Sequence, residues 1–122
     1  MIDEVNAEVP TIGVDEARGM LDDEGVVFVD LRDPRERARS GVVPGAFSCP
    51  RGMLEFWIDN ESPYAKPIFQ EDKTFVFYCA SAWRSALATK QAQDMGLENA
   101  CHMGGGFTEW YKAGHPVEAT DH

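Results

Sequence analysis

Short, unbroken apolar runs recur along this chain, and amphipathic segments of helical period separate them. The clearest runs lie at residues 24–30 (EGVVFVD) and 73–79 (KTFVFYC), and residues 98–103 (ENACHM) are predicted to form a third core strand. A run without polar alternation is typical of a strand that is buried on both faces, as in a parallel sheet covered by helices. Residues 14–22 and 84–95 instead repeat their apolar side chains at helical spacing. This order predicts a three-layer α/β/α sandwich on a mostly parallel sheet.

Length and charge narrow the classes of function. With 122 residues the chain has the size of one domain, and eleven Lys and Arg against 21 Asp and Glu give a net charge of −10. Nucleic acids and anionic membrane surfaces are bound by clustered basic side chains, so we expect neither as a partner. The acidity is explained by solubility, and a basic partner protein is the open alternative.

The chain shows no membrane or export signal. No apolar run approaches the ~20 residues that span a bilayer, and residues 1–9 lack the apolar centre of a signal peptide. We therefore expect a cytoplasmic protein. Residues 1–8 and 119–122 are expected to be flexible ends around a domain at 9–118.

Three cysteines, Cys49, Cys79 and Cys101, are widely spaced. Disulfide scaffolds use dense and even sets of cysteines, so a scaffold of that kind is excluded. A zinc site needs closely spaced ligand pairs, and the only close pair, Cys101 and His102, would point to opposite sides of a strand. We expect no metal and no cofactor, and at least one working thiol.

Cys79 ends a predicted buried strand, and Arg84 begins a predicted helix five positions later. Ligands of open α/β sheets bind beyond the carboxyl ends of the strands. The N–H groups of loop 80–83 and of the helix start would form an anion-binding nest there. Such surroundings favour the thiolate form of a cysteine, and Arg84 adds a fixed charge for an oxyanion. The alternative is a small buried cysteine beside a surface arginine without a role.

Three segments make the chain recognisable: residues 26–50 (VVFVDLRDPRERARSGVVPGAFSCP), 75–100 (FVFYCASAWRSALATKQAQDMGLENA) and 103–117 (MGGGFTEWYKAGHPV). Together they resemble the rhodanese, or sulfurtransferase, domain family over nearly the whole chain. The resemblance implies a five-stranded parallel sheet flanked by helices. It also implies an active cysteine in a six-residue loop, here residues 79–84.

The resemblance assigns roles to individual residues. Cys79 would carry a sulfane sulfur as a persulfide, and Arg84 would be the second catalytic residue. The substrate-binding residues would be those of the loop and the residue after it: Ala80, Ser81, Ala82, Trp83 and Ser85. Ala82 stands where the family commonly has glycine.

The implied function is that of a single-domain sulfurtransferase. The donor would be thiosulfate, mercaptopyruvate or a protein persulfide, and the acceptor cyanide in vitro or a thiol in cells. A persulfide-carrying protein is a further expected partner. Two alternatives stay open, an inactive rhodanese-like binding module and a phosphatase or arsenate reductase. Those enzymes use a Cys-x5-Arg loop, one residue longer than the Cys-x4-Arg found here, and inactive modules often lack the cysteine.

Two further features have competing interpretations. Asp30, Arg32 and Asp33 follow a predicted strand at the same edge as Cys79, either at the rim of the site or, as we favour, as helix-capping and surface charges. Residues 51–69 are long for a connection and rich in aromatic side chains, which suits a lid over the loop. Core packing of Trp57 is the alternative.

Overall fold

The computed structural model describes residues 10–49, 51–59, 61–80, 83–97 and 99–119. Most of the expected flexible ends, residues 1–8 and 120–122, lies outside this part. No helix among the described residues is long and apolar enough to cross a membrane.

In the described part of the chain, five strands form one sheet: β1 Thr11–Ile12, β2 Val26–Asp30, β3 Phe47–Ser48, β4 Thr74–Tyr78 and β5 Ala100–Met103. Their order is β1-β5-β4-β2-β3, and every neighbouring pair is parallel. The three longer strands occupy the centre and coincide with the three predicted core strands. The predicted five-stranded parallel sheet is therefore confirmed.

The described residues form five helices around this sheet: α1 Val14–Arg18, α2 Pro34–Ser40, α3 Leu54–Ile58, α4 Trp83–Asp94 and α5 Gly106–Lys112. Two 3-10 turns, Arg51–Met53 and Pro67–Gln70, flank α3. Helices α3 and α4 pack together, and so do α1 and α5.

The alternating side chains of β4 separate two cores. Phe75 and Phe77 join an apolar cluster with residues of α3 and α4 on one face of the sheet. Val76 and Tyr78 join a second cluster with residues of α1 and α5 on the other face. Since successive side chains of a strand point to opposite faces, the two clusters establish the predicted α/β/α layers.

Helix α2 begins with a capping box, as its sequence suggests. The Asp33 carboxylate accepts a hydrogen bond from the Glu36 N–H at 2.9 Å, and the Glu36 carboxylate accepts one from the Asp33 N–H at 3.1 Å. Pro34 occupies the first turn. Gly41 ends the helix with φ of 83°, a value that favours glycine because other residues are strained there.

Apolar side chains of the segment 51–69 contribute to the core of the domain. Leu54 and Ile58 are buried in the cluster that contains Phe75 and Phe77. Trp57 lies edge-on to Phe47, with 5.9 Å between ring centres, and it packs against the same cluster. This arrangement favours the core interpretation of Trp57 over the lid.

We expect Trp57→Ala to lower the free energy of unfolding by about 2 kcal/mol. A fully buried tryptophan costs ~3–5 kcal/mol when truncated, and Trp57 is only half buried. Phe56 is the matched control because it is 52% exposed, so Phe56→Ala should cost much less in the same urea titration. Equal losses for both variants would contradict a packing role for Trp57.

Candidate active site

Helix α5 holds the start of the Cys79 loop. Cys79 directly follows β4 and is buried. Its carbonyl accepts a hydrogen bond from the Phe107 N–H at 2.8 Å. The Ala80 carbonyl accepts two, from the N–H of Thr108 at 3.0 Å and from its hydroxyl at 2.7 Å. These contacts fix the carboxyl end of β4 against the first turn of α5, which the sequence did not indicate.

The structure describes only part of the predicted loop. Ala80 is half buried, and Arg84 lies in the first turn of α4. Ser81 and Ala82 lie outside the described residues, as does the side chain of Trp83. Their substrate-binding roles stay predictions.

Arg84 forms a two-pronged ion pair with Glu36 of α2. Its Nη1 and Nη2 donate to Glu36 Oε1 and Oε2, each at 2.9 Å. The hydrogen bond from Arg84 lowers the pKa of Glu36, and the same bond raises the pKa of Arg84. The charge of Cys79 also raises the pKa of Arg84. Sequence reasoning missed Glu36, which lies 48 positions from Arg84.

We expect Glu36→Gln to lower the KM for an anionic sulfur donor such as thiosulfate about threefold. The Glu36 carboxylate occupies the two donor groups with which Arg84 would hold an oxyanion, and its charge repels that oxyanion. The pair is partly exposed, so its loss should cost only about 1 kcal/mol of stability.

Steady-state kinetics of Glu36→Gln would test this expectation. Glu55→Gln is the matched control, since Glu55 forms a similar ion pair with Arg51 at 2.7 Å within the segment 51–59. An unchanged or higher KM in Glu36→Gln would mean that Arg84 only anchors α4 to α2.

Asp30, at the end of β2, is the centre of a buried polar network. Its Oδ1 accepts from the backbone N–H of Arg32 at 2.9 Å and from its Nε at 3.1 Å. Its Oδ2 accepts from Arg32 Nη2 at 2.8 Å, from the Tyr78 hydroxyl at 2.8 Å and from Arg37 Nε at 3.4 Å. Asp30 and Arg32 are both almost fully buried.

The favoured sequence interpretation of this cluster is therefore half wrong. Asp33 does cap a helix, but Asp30 and Arg32 are not surface charges. Burial alone would lower the pKa of Arg32, yet the hydrogen bond and charge of Asp30 outweigh it and raise that pKa. The Arg32 guanidinium also lies 4.3 Å from the centre of the Phe107 ring. Arg32 thus joins β2 to α5 and reaches the rim of the site.

The other two cysteines are poor candidates for the reacting thiol. Burial raises the pKa of Cys49 to about 12 and that of Cys101 to about 11. A thiol reacts as the thiolate, and at neutral pH both groups stay protonated.

Ser85 lies in a buried chain of side-chain hydrogen bonds. Its hydroxyl is 3.1 Å from His102 Nδ1, and His102 Nε2 is 2.9 Å from the hydroxyl of Thr11. Burial lowers the pKa of His102, so the imidazole is neutral at pH 7. Ser85 lies in the first turn of α4 and is fully buried. Its direct contact with substrate stays a prediction.

A pocket of about 500 Å³ opens beside Ala80, between α2 and α5. We name it the α2–α5 pocket. Its lining combines three cationic side chains, one carboxylate, aromatic rings and three hydroxyl groups: Arg32, Glu36, Arg39, Ser40, Ala80, Phe107, Thr108, Tyr111 and Lys112. None of the described residues in the segment 51–69 lines it. Within the described chain, no group of three or more His, Cys, Asp or Glu side chains is placed to hold a metal ion.

The chain belongs to the rhodanese-like domain family, whose sequence model matches residues 13–113. It is 30% identical over 110 residues to human thiosulfate:glutathione sulfurtransferase, covering 85% of this chain and 95% of the human protein. It is 28% identical to a thiosulfate sulfurtransferase of Pseudoalteromonas translucida, over 84% of this chain and 89% of that one.

A solved structure from Rhodopseudomonas palustris is also similar. The two chains are 58% identical, with a TM-score of 0.93, over 96% of this chain and 90% of the other. That structure is described as a protein of unknown function and possible tyrosine phosphatase. These similar proteins are thus described with two different activities, sulfur transfer and phosphate-ester hydrolysis.

Proposed function

We propose that this protein is a sulfurtransferase that carries a sulfane sulfur on Cys79. The observation that carries the proposal is the position of Cys79. It lies at the carboxyl end of the central strand β4, within the electrostatic reach of Arg84, and the next residue lines an open pocket. The relatives named as sulfurtransferases support the same reaction class.

The reaction has two half-steps. In the first, the Cys79 thiolate attacks the outer sulfur of thiosulfate, an S–S bond forms to Cys79, and the donor's S–S bond breaks to release sulfite. In the second, an acceptor nucleophile attacks the outer sulfur of the persulfide, and the bonding pair returns to Cys79 as a thiolate. Each step exchanges one bond to sulfur for another, so no external oxidant or reductant is needed.

Thiosulfate or a protein persulfide would suit this site as donor, and cyanide or a thiol as acceptor. A cytoplasmic location is part of the proposal. None of the three cysteines is in a disulfide bond, and reduced thiols are typical of reducing compartments.

Phosphate-ester hydrolysis is the second candidate, favoured by the description of the Rhodopseudomonas palustris structure. The spacing of Cys79 and Arg84 opposes it, because four residues between them give a smaller loop than the five of Cys-x5-Arg phosphatases.

Two assays separate the candidates. We expect the protein to form thiocyanate from thiosulfate and cyanide and to leave p-nitrophenyl phosphate intact. Release of p-nitrophenol, without thiocyanate formation, would contradict the sulfurtransferase proposal.

A further inference from the structure

Helix α5 begins without a side-chain cap. Its N-cap residue, Gly105, has no side chain that could accept a hydrogen bond, and the first backbone N–H groups of a helix have no partner within the helix. Here the Phe107 N–H donates to the Cys79 carbonyl at 2.8 Å. The Thr108 N–H donates to the Ala80 carbonyl at 3.0 Å. The backbone of the candidate active site therefore caps α5, and α5 in turn determines where these two carbonyls point.

The side chain of Cys79 lies on the other side of the sheet from α5. It belongs to the apolar cluster that contains Phe77, on the face where α3 and α4 pack. Phe107 and Trp110 of α5 belong to the cluster on the opposite face. The two carbonyls that bond to α5 therefore point away from the face on which the sulfur lies.

This orientation has an electrostatic consequence for a thiolate on Cys79. In a planar trans peptide group, the C=O and the N–H point in opposite directions. Because the Cys79 carbonyl points to α5, the N–H of Ala80 points to the side of the sulfur. A backbone N–H that faces a thiolate stabilises it, whereas a carbonyl oxygen in the same place would repel it.

Thr108 adds a second contact to the Ala80 carbonyl. Its hydroxyl donates to that oxygen at 2.7 Å, in addition to its backbone N–H at 3.0 Å. The carbonyl cannot rotate towards the sulfur without losing both hydrogen bonds. Unlike the backbone N–H, the hydroxyl can be removed by a substitution.

The first turn of α5 is held in place by contacts other than that of the Thr108 hydroxyl. The ring of Phe107 stacks on the ring of Tyr78, with 6.2 Å between their centres and 25° between their planes. The guanidinium of Arg32 lies 4.3 Å from the centre of the same Phe107 ring. Phe107 and Tyr78 are both buried. Loss of the Thr108 hydroxyl should therefore leave α5 in position and affect the Ala80 carbonyl.

We propose that Thr108 is a positioning residue for sulfur transfer. Its hydroxyl holds the Ala80 carbonyl against α5 and so keeps that oxygen away from the Cys79 sulfur. The thiolate that attacks the donor in the first half-step is thereby stabilised. This inference rests on the proposed function and adds to it a residue that acts on Cys79 through the backbone of Ala80.

A single-turnover measurement of persulfide loading tests this role. The protein is mixed with increasing concentrations of thiosulfate, and the fraction that has gained one sulfur is followed by mass spectrometry. The saturating rate constant measures the reactivity of Cys79, and the half-saturating concentration measures binding of the donor. Thr108→Val removes the hydroxyl with little change of shape, and Thr108→Ser keeps the hydroxyl.

We expect Thr108→Val to lower the saturating rate constant about threefold, the effect of one neutral hydrogen bond. The half-saturating concentration of thiosulfate should stay that of the wild type, because Thr108 acts on the nucleophile and not on the donor. Thr108→Ser should load sulfur at the rate of the wild type. A purely structural role of Thr108 would change the stability of the fold but not this rate in the folded protein.

Thr89→Val is the matched control. The Thr89 hydroxyl also donates to a backbone carbonyl at 2.7 Å, that of Ser85, and both residues lie in α4. Thr89 is fully buried whereas Thr108 is exposed, so Thr89→Val should lower the free energy of unfolding at least as much in a urea titration. Its rate of persulfide loading should nevertheless equal that of the wild type.

Three results would overturn the inference: a wild-type rate in Thr108→Val, a rate in Thr108→Ser as low as that of Thr108→Val, or an equal loss of rate in Thr89→Val. In each of these cases the wild-type protein still gains sulfur on Cys79, so the proposed function stands. If the wild-type protein gains no sulfur from thiosulfate, the proposed function fails, and the inference fails with it.

Discussion

Asp30→Asn is expected to lower the free energy of unfolding by about 3–5 kcal/mol. The variant keeps the shape of the side chain but removes the charge that faces buried Arg32. The two residues are joined by hydrogen bonds of 3.1 and 2.8 Å and are almost fully buried. Without the charge of Asp30, the buried guanidinium of Arg32 has no compensating charge. The structure must then distort to let water reach it, or the protein unfolds.

Urea titration measures this loss, and two further variants define its origin. Asp22→Asn should change stability by no more than about 0.5 kcal/mol, because Asp22 is exposed. Tyr78→Phe should cost about 1–3 kcal/mol. It removes the hydroxyl that donates to Asp30 at 2.8 Å and accepts from the Val43 N–H at 3.1 Å. A loss below 1 kcal/mol for Asp30→Asn would contradict a structural role for the network.

Cys79→Ser is expected to reduce sulfur transfer by about a thousandfold or more, to background, because the reacting nucleophile is removed. The substitution is nearly isosteric, so the free energy of unfolding should change by only about 1 kcal/mol. Thiocyanate formation measures the activity, and circular dichroism during heating verifies the fold.

Cys101→Ala is the matched control for loss of a thiol. Cys101 is also buried, on β5 beside β4, and its raised pKa keeps it protonated. Turnover within about twofold of the wild type is expected for this variant. Substantial turnover in Cys79→Ser, together with loss of turnover in Cys101→Ala, would show that Cys101 is the reacting cysteine.

The fold could be predicted from the sequence because its central strands are buried on both faces. In a chain of this length, an unbroken apolar run such as the one that ends at Tyr78 predicts a buried strand. The edge strands β1 and β3 have two residues each, too short for a periodic signal. Their place in the sheet depends on pairing with β5 and β2.

The polar parts of the site were harder to predict, for a physical reason. Charged residues after a strand are usually exposed, since burial of a charge is costly unless it is paired. The partners that permit the burial of Asp30 include Tyr78, which is 48 positions away. Glu36 and Arg84 have the same separation. Sequence patterns within one helix or strand cannot predict pairs of residues that are so far apart in the chain. The capping box of Asp33 and Glu36, in contrast, spans one helical turn and is visible in the sequence.

Mass spectrometry of the protein after exposure to thiosulfate tests the central claim most directly. We expect a gain of about 32 mass units, one sulfur atom, located on the peptide that contains Cys79 and lost on addition of cyanide. The peptides that contain Cys49 and Cys101 should stay unmodified, because burial holds their pKa values near 12 and 11. Addition of sulfur to either of those cysteines, or to none of the three, would contradict the assignment of Cys79 as the sulfur carrier.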